Sequence, residues 1–511
     1  MLLGDLAIRN AKRYANKTAL VFGEVRLTFQ ELNERVNSIG NALLSTGLAT
    51  GDKVAFLLEN SNVFLEFFFG AAKTGMVAVP LNYRLSDREL VEVIEDSDSK
   101  LLVVGLGYEE IAKKISQQSK SLKHYVFMKE SGNEHYHYSE IIQSYISAEP
   151  GKMSNLDENS LAAIVYTGGT TGKSKGAMFT HRNFLESCAN EIMGVGFRTD
   201  ECGLLAIPLF HISIVHILCN FYLGGTTILG DRVDPKLMME TIEREKVTYT
   251  ILVPTAILRL LESPDFGKYD LSTLRTIIYG GAPIPVELLK RTKKTLGDIL
   301  VQVYGMTEAC GTVSCLAKED HVLEGGEPRN ERIRSLGRAL PNTEVKIVDD
   351  FGAEVPTGIV GEIAVRGPMV MQGYWNNPQV TKEAMRDGWL ATGDMAMMDE
   401  DGFLYLNDRK KDMIISGGEN IYSKEVENVL VSHPSILEAA VVGIPDPEWG
   451  EAVKAFVILK QGCEISAKEM IDYCKSNLAN YKKPKAVEFV KSLPYTSIGK
   501  VDKLALRKGG I

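Results

Sequence analysis

Residues 161–176 read Leu-Ala-Ala-Ile-Val-Tyr-Thr-Gly-Gly-Thr-Thr-Gly-Lys-Ser-Lys-Gly. The apolar run Leu161–Val165 predicts a short buried strand. From Tyr166 to Gly176 the texture inverts: eleven residues hold four glycines, three threonines and two lysines. Glycines let the backbone bend until successive N–H groups converge on an anion, threonine hydroxyls add donors, and a lysine supplies charge beside a phosphate. A plain surface hairpin is the competing reading, since glycine often only punctuates. A P-loop fits poorly. Gly172-Lys173-Ser174 ends a near match, but the pattern GxxxxGK[ST] needs Gly where Thr167 stands, and Gly176 interrupts the helix that should follow.

Outward from this loop, strand and helix signals alternate. Leu27-Thr28-Phe29-Gln30-Glu31 is a helix entry, with Thr28 as cap and Glu31 as its capping-box partner. Leu32, Val36, Ile39 and Leu43 follow at helical spacing. Strands are expected at Lys53–Leu58, Met76–Val79, Lys100–Val104, Thr226–Leu229, Tyr249–Leu252 and Thr276–Tyr279, with a helix over Phe64–Ala72. This rhythm predicts α/β architecture with mostly parallel, helix-covered sheets. Near residue 335 it gives way to short alternating strands, Glu344–Val348, Gly361–Val365 and Phe403–Leu406, separated by turn residues. After the charged block Asp408-Arg409-Lys410-Lys411-Asp412 an α+β pattern follows, with a capping box at Ser466 and Glu469. The expected organisation is a large domain over 1–408, β-rich over about 335–408, and a small α+β domain over 409–511.

The 511 residues carry 57 Lys+Arg against 66 Asp+Glu, a net charge of −9, which argues against a protein that coats nucleic acid. With 45% hydrophobic and 24% charged residues the chain is ordinary globular material, not disordered. Seven scattered cysteines contain no CxxC pair, so neither zinc nor a redox pair is suggested, and buried thiols in a reducing compartment are expected. The start, MLLGDLAIRN, turns acidic at Asp5 and does not read as a secretory signal, so a cytoplasmic place is expected. Gly203–Gly230 lacks Asp, Glu, Lys and Arg, yet holds Pro208, His211, Ser213, His216 and Asn220. Those residues are costly in lipid, so this stretch is expected as buried core rather than a membrane span.

The loop resembles the signature Y-T-S-G-T-T-G-x-P-K-G of the adenylate-forming superfamily: acyl-CoA synthetases, peptide-synthetase adenylation domains and luciferases. The chain departs from it at Gly168 and Ser174, and the lysine that matches is Lys175, not Lys173. Further blocks match in the family's order from about residue 20 to residue 503. The resemblance implies that Thr167, Gly168, Gly169, Thr170, Thr171, Gly172 and Lys175 cradle ATP phosphates. It implies that Gly281, Ala282 and Pro283, in Ile278-Tyr279-Gly280-Gly281-Ala282-Pro283, pass the adenine. Tyr304-Gly305-Met306-Thr307-Glu308 resembles the Y-G-x-T-E block, in which the Tyr ring packs on adenine, Thr307 meets the phosphate and Glu308 holds Mg²⁺. Each role suits its residue: a flat ring stacks a base, a hydroxyl donates to a phosphoryl oxygen, a carboxylate is a hard ligand. Trp389-Leu390-Ala391-Thr392-Gly393-Asp394 resembles the T-G-D block, which directs Asp394, together with Arg409, at the ribose. Lys411 sits at the family's pivot, and Gly417, Gly418 and Glu419 match the loop lining its pantetheine tunnel. Lys500, after Pro494-Tyr-Thr-Ser-Ile-Gly, matches the lysine that bridges the carboxylate nucleophile and the α-phosphate.

The implied activity is an ATP-dependent carboxylic acid:CoA ligase: acyl-AMP and pyrophosphate form first, then acyl-CoA and AMP, with ATP, Mg²⁺ and coenzyme A required. In Pro208-Leu209-Phe210-His211 a His stands where amino-acid-activating relatives place Asp, which points to the acyl- or aryl-CoA branch, with His211 flanking the carboxylate or gating the pocket. The expected acyl wall comprises Ile212, Ile214, Val215, Ile278, Tyr279, Gly280, Met306 and Cys310, with modest polarity from Ser213, His216 and Thr312. No Arg or Asp offers itself to a second charged group, so a monocarboxylate with an apolar tail is expected: a medium- or long-chain fatty acid first, a benzoate- or cinnamate-type acid second. A carrier protein as acceptor and a homodimer stay open. Two other readings are a P-loop NTPase and a non-catalytic nucleotide-binding relative.

Overall fold

The computed structural model describes residues 1–128, 136–151, 155–167, 174–281, 284–322, 329–416, 419–447, 449–496 and 500–509. The chain divides into two compact units. The first is Met1–Val345 with Val365–Leu390, and the second is Lys346–Ala364 with Ala391–Ile511.

Among the described residues, the first unit holds two large sheets. One runs Tyr136–His137, His124–Phe127, Ser99–Val104, Lys53–Leu57, Val77–Pro80, Leu161–Thr167, Lys175–Thr180. Its strands pair in parallel except for the last two, which form an antiparallel hairpin. The other runs Arg338–Ala339, Gly311–Leu316, Leu300–Met306, Thr276–Gly280, Tyr249–Leu252, Cys202–Leu205, Thr226–Leu229, Thr18–Phe22, Val25–Thr28. It is parallel from Leu300–Met306 to Thr18–Phe22 and antiparallel at both edges. The α/β expectation therefore holds.

The helices explain their own positions. Asn62–Thr74 (NVFLEFFFGAAKT) is apolar on nearly every side, so it must be enclosed, and all its residues except Lys73 are buried. Ser61 Oγ accepts from the Phe64 amide at its start, and Gly75 ends it at φ +72°. The capping boxes at Thr28/Glu31 and Ser466/Glu469 both form. Gly203–Gly230 is a strand, a turn, the helix Ile214–Leu223 and a further strand. No described helix is long and apolar enough to cross a membrane.

In the second unit Ile436–Asp446 and Gly450–Leu459 form a long antiparallel hairpin, flanked by Ile414–Ser416 and Ala486–Phe489. Helices Ser423–Ser432 and Ala467–Asn477 cover it, and Ile414, Val426, Leu430, Val441, Val457, Met470 and Cys474 make its core. This is the small α+β architecture expected near the C-terminus. Lys411, where a joint is expected, lies inside the second unit. All seven cysteines are free thiols.

Two buried histidines make the first unit acid-sensitive. His181 Nδ1 accepts from the Leu3 amide at 3.3 Å, and His321 Nε2 lies 2.9 Å from the Tyr279 hydroxyl. Burial disfavours the imidazolium and lowers both from 6.5 to about 4. Unfolded chains therefore bind more protons than folded ones between those values. The stabilisation is complete above pH 6.5 and drains as pH falls toward 4, by about 1.4 kcal/mol per pH unit for each histidine. Denaturant midpoints are expected to drop between pH 7 and pH 5, and a flat profile would contradict the neutral burial of both rings.

Candidate active site

The Gly-rich segment links two antiparallel strands. Thr167 pairs with Lys175 and Tyr166 with Gly176, and the second strand runs on to Thr180. Strand, not helix, therefore follows the loop, which removes the P-loop geometry. Gly168, Gly169, Thr170, Thr171, Gly172 and Lys173 lie outside the described residues, as do Ala282, Pro283, Gly417 and Gly418. Gly176 is needed for packing: a Cβ there would stand 2.6 Å from Ile164 and 2.9 Å from the Tyr166 ring. Tyr166 is itself anchored, its hydroxyl donating to Asp96 at 2.6 Å.

The far side of the strand Lys175–Thr180 is closed by residues 372–375. The Met178 amide donates to the Gly373 carbonyl at 2.9 Å, and Trp375 to the Gly176 carbonyl at 2.7 Å. The Met371 amide donates to the Glu308 carbonyl at 2.9 Å. One segment thus stitches the Gly-rich hairpin to the Tyr304–Glu308 block. Tyr374 makes the same link through its side chain. Its hydroxyl donates to Glu308 Oε1 at 2.8 Å, and Lys175 Nζ stands 5.6 Å from its ring centre. Burial, then the Glu308 carboxylate, pushes the Tyr374 phenol above its ordinary range, so it remains a donor.

The Tyr304–Glu308 block is the end of the strand Leu300–Met306 and the tight turn Thr307–Ala309. The turn closes at Cys310, in the left-handed region at φ +52°. The chain then returns antiparallel, setting Gly305 opposite Thr312 and Met306 opposite Gly311. Gly305 is obligatory: a Cβ there would stand 1.9 Å from the Gly311 carbonyl oxygen. Gly305→Ala is expected to destabilise the protein by about 3 kcal/mol or more, because both backbones would have to move. A lowered thermal midpoint checks this, and an unchanged one would refute the close approach.

The magnesium role can be tested against the donors present. Glu308 is half-buried with one oxygen held by Tyr374, and no described residue bonds the other oxygen. Among the described residues no cluster of three or more His, Cys, Asp or Glu could cage a metal. A single oriented carboxylate suits a cation that takes most of its ligands from water and substrate phosphates, which is how magnesium is commonly held.

On the acyl side, Ile212 and Met306 are half-buried, while Val215 and Cys310 are fully buried. His211 packs against Phe210 with ring centres 4.5 Å apart. Tyr279 requires a correction. Its ring is fully buried in the core with Ile277, Leu289 and Leu300, and its hydroxyl lies on His321. Successive strand residues face opposite ways, so Ile278 and Tyr279 cannot present side chains to one wall. Gly280 has no room for a side chain, since a Cβ would meet the Val303 carbonyl oxygen at 2.5 Å.

In the second unit Asp394 and Arg409 are cross-strand partners, with Nε 3.3 Å from Oδ1. Gly393 stands at φ +74° and donates to Glu362 Oε1 at 2.9 Å, and Lys410 Nζ reaches Glu362 Oε2 at 3.1 Å. Asp394 of the T-G-D block and Arg409 of the charged block, fifteen residues apart in sequence, thus lie side by side. Glu419 starts the strand Glu419–Ile421 and is exposed. Lys500 is exposed, and its amide donates to Thr496 Oγ1 at 3.2 Å.

Tyr374 escaped the sequence reading. Its partner Glu308 is 66 residues away, and only the pairing of 372–375 with the strand Lys175–Thr180 reveals the link. Glu191, whose carboxylate bonds His216 and Thr312, escaped for the same reason.

Comparison with known proteins shows the family. The family model for AMP-binding enzymes matches residues 8–375, and that for the AMP-binding enzyme C-terminal domain matches 425–500. A feruloyl-CoA synthase of Amycolatopsis is 38% identical over 508 residues, covering 99% of this chain and 98% of its own. A long-chain-fatty-acid–CoA ligase of Mycobacterium tuberculosis is 34% identical over 486 residues, covering 95% and 93%. The solved structure of an amide bond synthetase from Marinactinospora thermotolerans superposes with a TM-score of 0.88 at 30% identity, covering 100% of both chains. With both family models matched in order on one chain, this protein belongs to the adenylate-forming superfamily of AMP-binding enzymes, in its acyl-CoA synthetase branch.

Proposed function

We propose that this protein is an ATP-dependent carboxylic acid:CoA ligase. The observation that carries the reading is the Lys175–Tyr374–Glu308 arrangement, which sets a cation and an oriented carboxylate on one aromatic ring beside the Gly-rich hairpin. A carboxylate is a poor acyl donor because its leaving group would be oxide. In the first step a carboxylate oxygen attacks the ATP α-phosphorus, the bond to the β-phosphate oxygen breaks, and pyrophosphate leaves. Lys175 and the threonines of the loop take up charge on the departing phosphates, and Thr307 donates to a phosphoryl oxygen. Lys500, from the C-terminal domain, supplies the cation that offsets the repulsion between the two anions that must meet. Glu308 would hold magnesium, which supplies charge neutralisation on the phosphates. Asp394 and Arg409 bind the ribose, and Tyr304 stacks the adenine. In the second step the thiol of CoA attacks the acyl carbonyl, the acyl–phosphate bond breaks, and AMP leaves.

The second step follows rotation about Lys411, which turns the face carrying Gly417, Gly418 and Glu419 toward the adenylate. The acid is a monocarboxylate with an apolar body. The aliphatic wall supports a medium- or long-chain fatty acid, in line with the mycobacterial relative's name. An aryl acid is the second reading, favoured by the polar group Glu191–His216–Thr312 beside that wall and by the name of the Amycolatopsis relative. A panel of fatty and aryl acids with ATP, Mg²⁺ and CoA, read as AMP formed, tests the proposal. ADP formed without an acid requirement would overturn it.

A further inference from the structure

The backbone fixes Tyr374 from both sides. Ala177 and Tyr374 pair antiparallel, and the Gln372 amide donates to the Met178 carbonyl at 2.9 Å. Gly373 stands at φ +136°, where a Cβ would lie 2.7 Å from the Thr381 methyl, so only glycine lets the chain pass. The Tyr374 amide donates to Thr381 Oγ1 at 2.8 Å, and that hydroxyl donates to the Asn377 carbonyl at 2.8 Å. Trp375, the next residue, donates from Nε1 to the Asp96 carbonyl at 2.9 Å. Tyr374 itself is buried, with 8% exposure, so its ring is held by packing as well as by the chain.

What a fixed ring does follows from its two partners. The Tyr374 hydroxyl donates to Glu308 Oε1 and the Lys175 ammonium stands 5.6 Å from the ring centre, while Lys175 and Glu308 make no ion pair with each other. A direct pair would cancel two charges that the proposed reaction uses separately, one on phosphate and one on a metal ion. The hydroxyl also governs how the carboxylate faces. With Oε1 bonded, Oε2 is the oxygen on offer, so Glu308 presents one ligand atom in one orientation. The Met371 amide on the Glu308 carbonyl holds the backbone of the same residue. Main chain and side chain of Glu308 are thus both set by residues 371–374, which is the part an outer partner plays for a metal ligand.

We infer that Tyr374 is a positioning residue for the metal-holding carboxylate: its hydroxyl fixes Glu308 with Oε2 offered to a magnesium ion, and its ring ties that carboxylate to Lys175 without letting the two charges pair. The inference rests on the ligase reading and adds a residue to it. Full-length wild type is compared with Tyr374→Phe, which keeps the ring and loses the hydroxyl. ATP binding without acid is measured by calorimetry in Mg²⁺ and in EDTA, and pyrophosphate release with the best acid of the panel is titrated with Mg²⁺. Tyr374→Phe is expected to bind ATP in EDTA as wild type does and to lose about tenfold of the affinity that Mg²⁺ adds. Its half-saturating Mg²⁺ for pyrophosphate release should rise by about tenfold, with KM for the acid unchanged. Glu308→Gln should show at least as large a shift, to which Tyr374→Phe adds nothing in the double variant, because the hydroxyl acts through the carboxylate. Tyr374→His, which returns a donor on a ring, should fall between wild type and Tyr374→Phe, and serves if Tyr374→Phe does not fold. A wild-type magnesium response in Tyr374→Phe, a full further shift in the double variant, or no shift in Glu308→Gln overturns the inference while the ligase reading stands. Pyrophosphate released by wild type with no acid of the panel rejects the ligase reading and the inference with it.

Discussion

Lys500→Ala is expected to reduce acid-dependent pyrophosphate release by about a hundredfold to a thousandfold. Two anions, the acid's carboxylate and the α-phosphate, must approach to bonding distance in the proposed first step. A cation placed between them acts where charge develops and solvent is excluded, which is where such groups have their largest effects. Lys500 is exposed, and its backbone bonds to Thr496 do not depend on its side chain, so an unchanged thermal midpoint is expected alongside the lost activity. Lys173→Ala is the matched control. It removes a lysine from the Gly-rich loop itself, at the position that a P-loop would need, and should leave most of the activity. Pyrophosphate release that survives in Lys500→Ala but collapses in Lys173→Ala would reverse the assignment of the two lysines.

Lys411→Pro is expected to separate the half-reactions. Acyl-AMP formation, followed as acid-dependent exchange of pyrophosphate into ATP, should stay within a few-fold of wild type. Thioester formation should fall by about a hundredfold or more, because only that step is proposed to need rotation at this joint. Proline locks φ near −65° and restricts Lys410 before it, and so freezes a pivot. Proline costs no amide hydrogen bond, since the Lys411 amide donates to no described residue. Lys410 and Lys411 are, however, the central residues of the turn in which the Asp412 amide donates to the Arg409 carbonyl at 2.9 Å. Proline at the second of them disfavours that turn, so an unchanged thermal midpoint is required alongside the kinetics. Equal loss of both half-reactions would reject Lys411 as the joint. Together the two variants distinguish a cation that acts on the adenylation step from a hinge that acts after it.

The regular elements were legible because their signals are local. The strands Thr226–Leu229 and Tyr249–Leu252 fall where the apolar runs place them, and the capping boxes at Thr28 and Ser466 form as read. The near Walker pattern misleads only if the following residues are ignored, since Gly176 has no room for a Cβ and belongs to a strand. Side-chain direction was less legible. Ile278 and Tyr279 both suit an apolar wall by composition, but strand alternation sends the Tyr279 ring into the core.

The order of the motifs, the α/β plan and the family were therefore determined by the sequence alone, because capping, periodicity and glycine-rich turns act within a few residues of the chain. Only the tertiary structure decided what holds those motifs. Tyr374 reaches Glu308 across 66 residues, and Glu191 gathers His216 and Thr312 from a second helix and a strand. Such contacts depend on which strands pair and which helix faces meet. Burial makes them strong, and no local pattern in the chain encodes them.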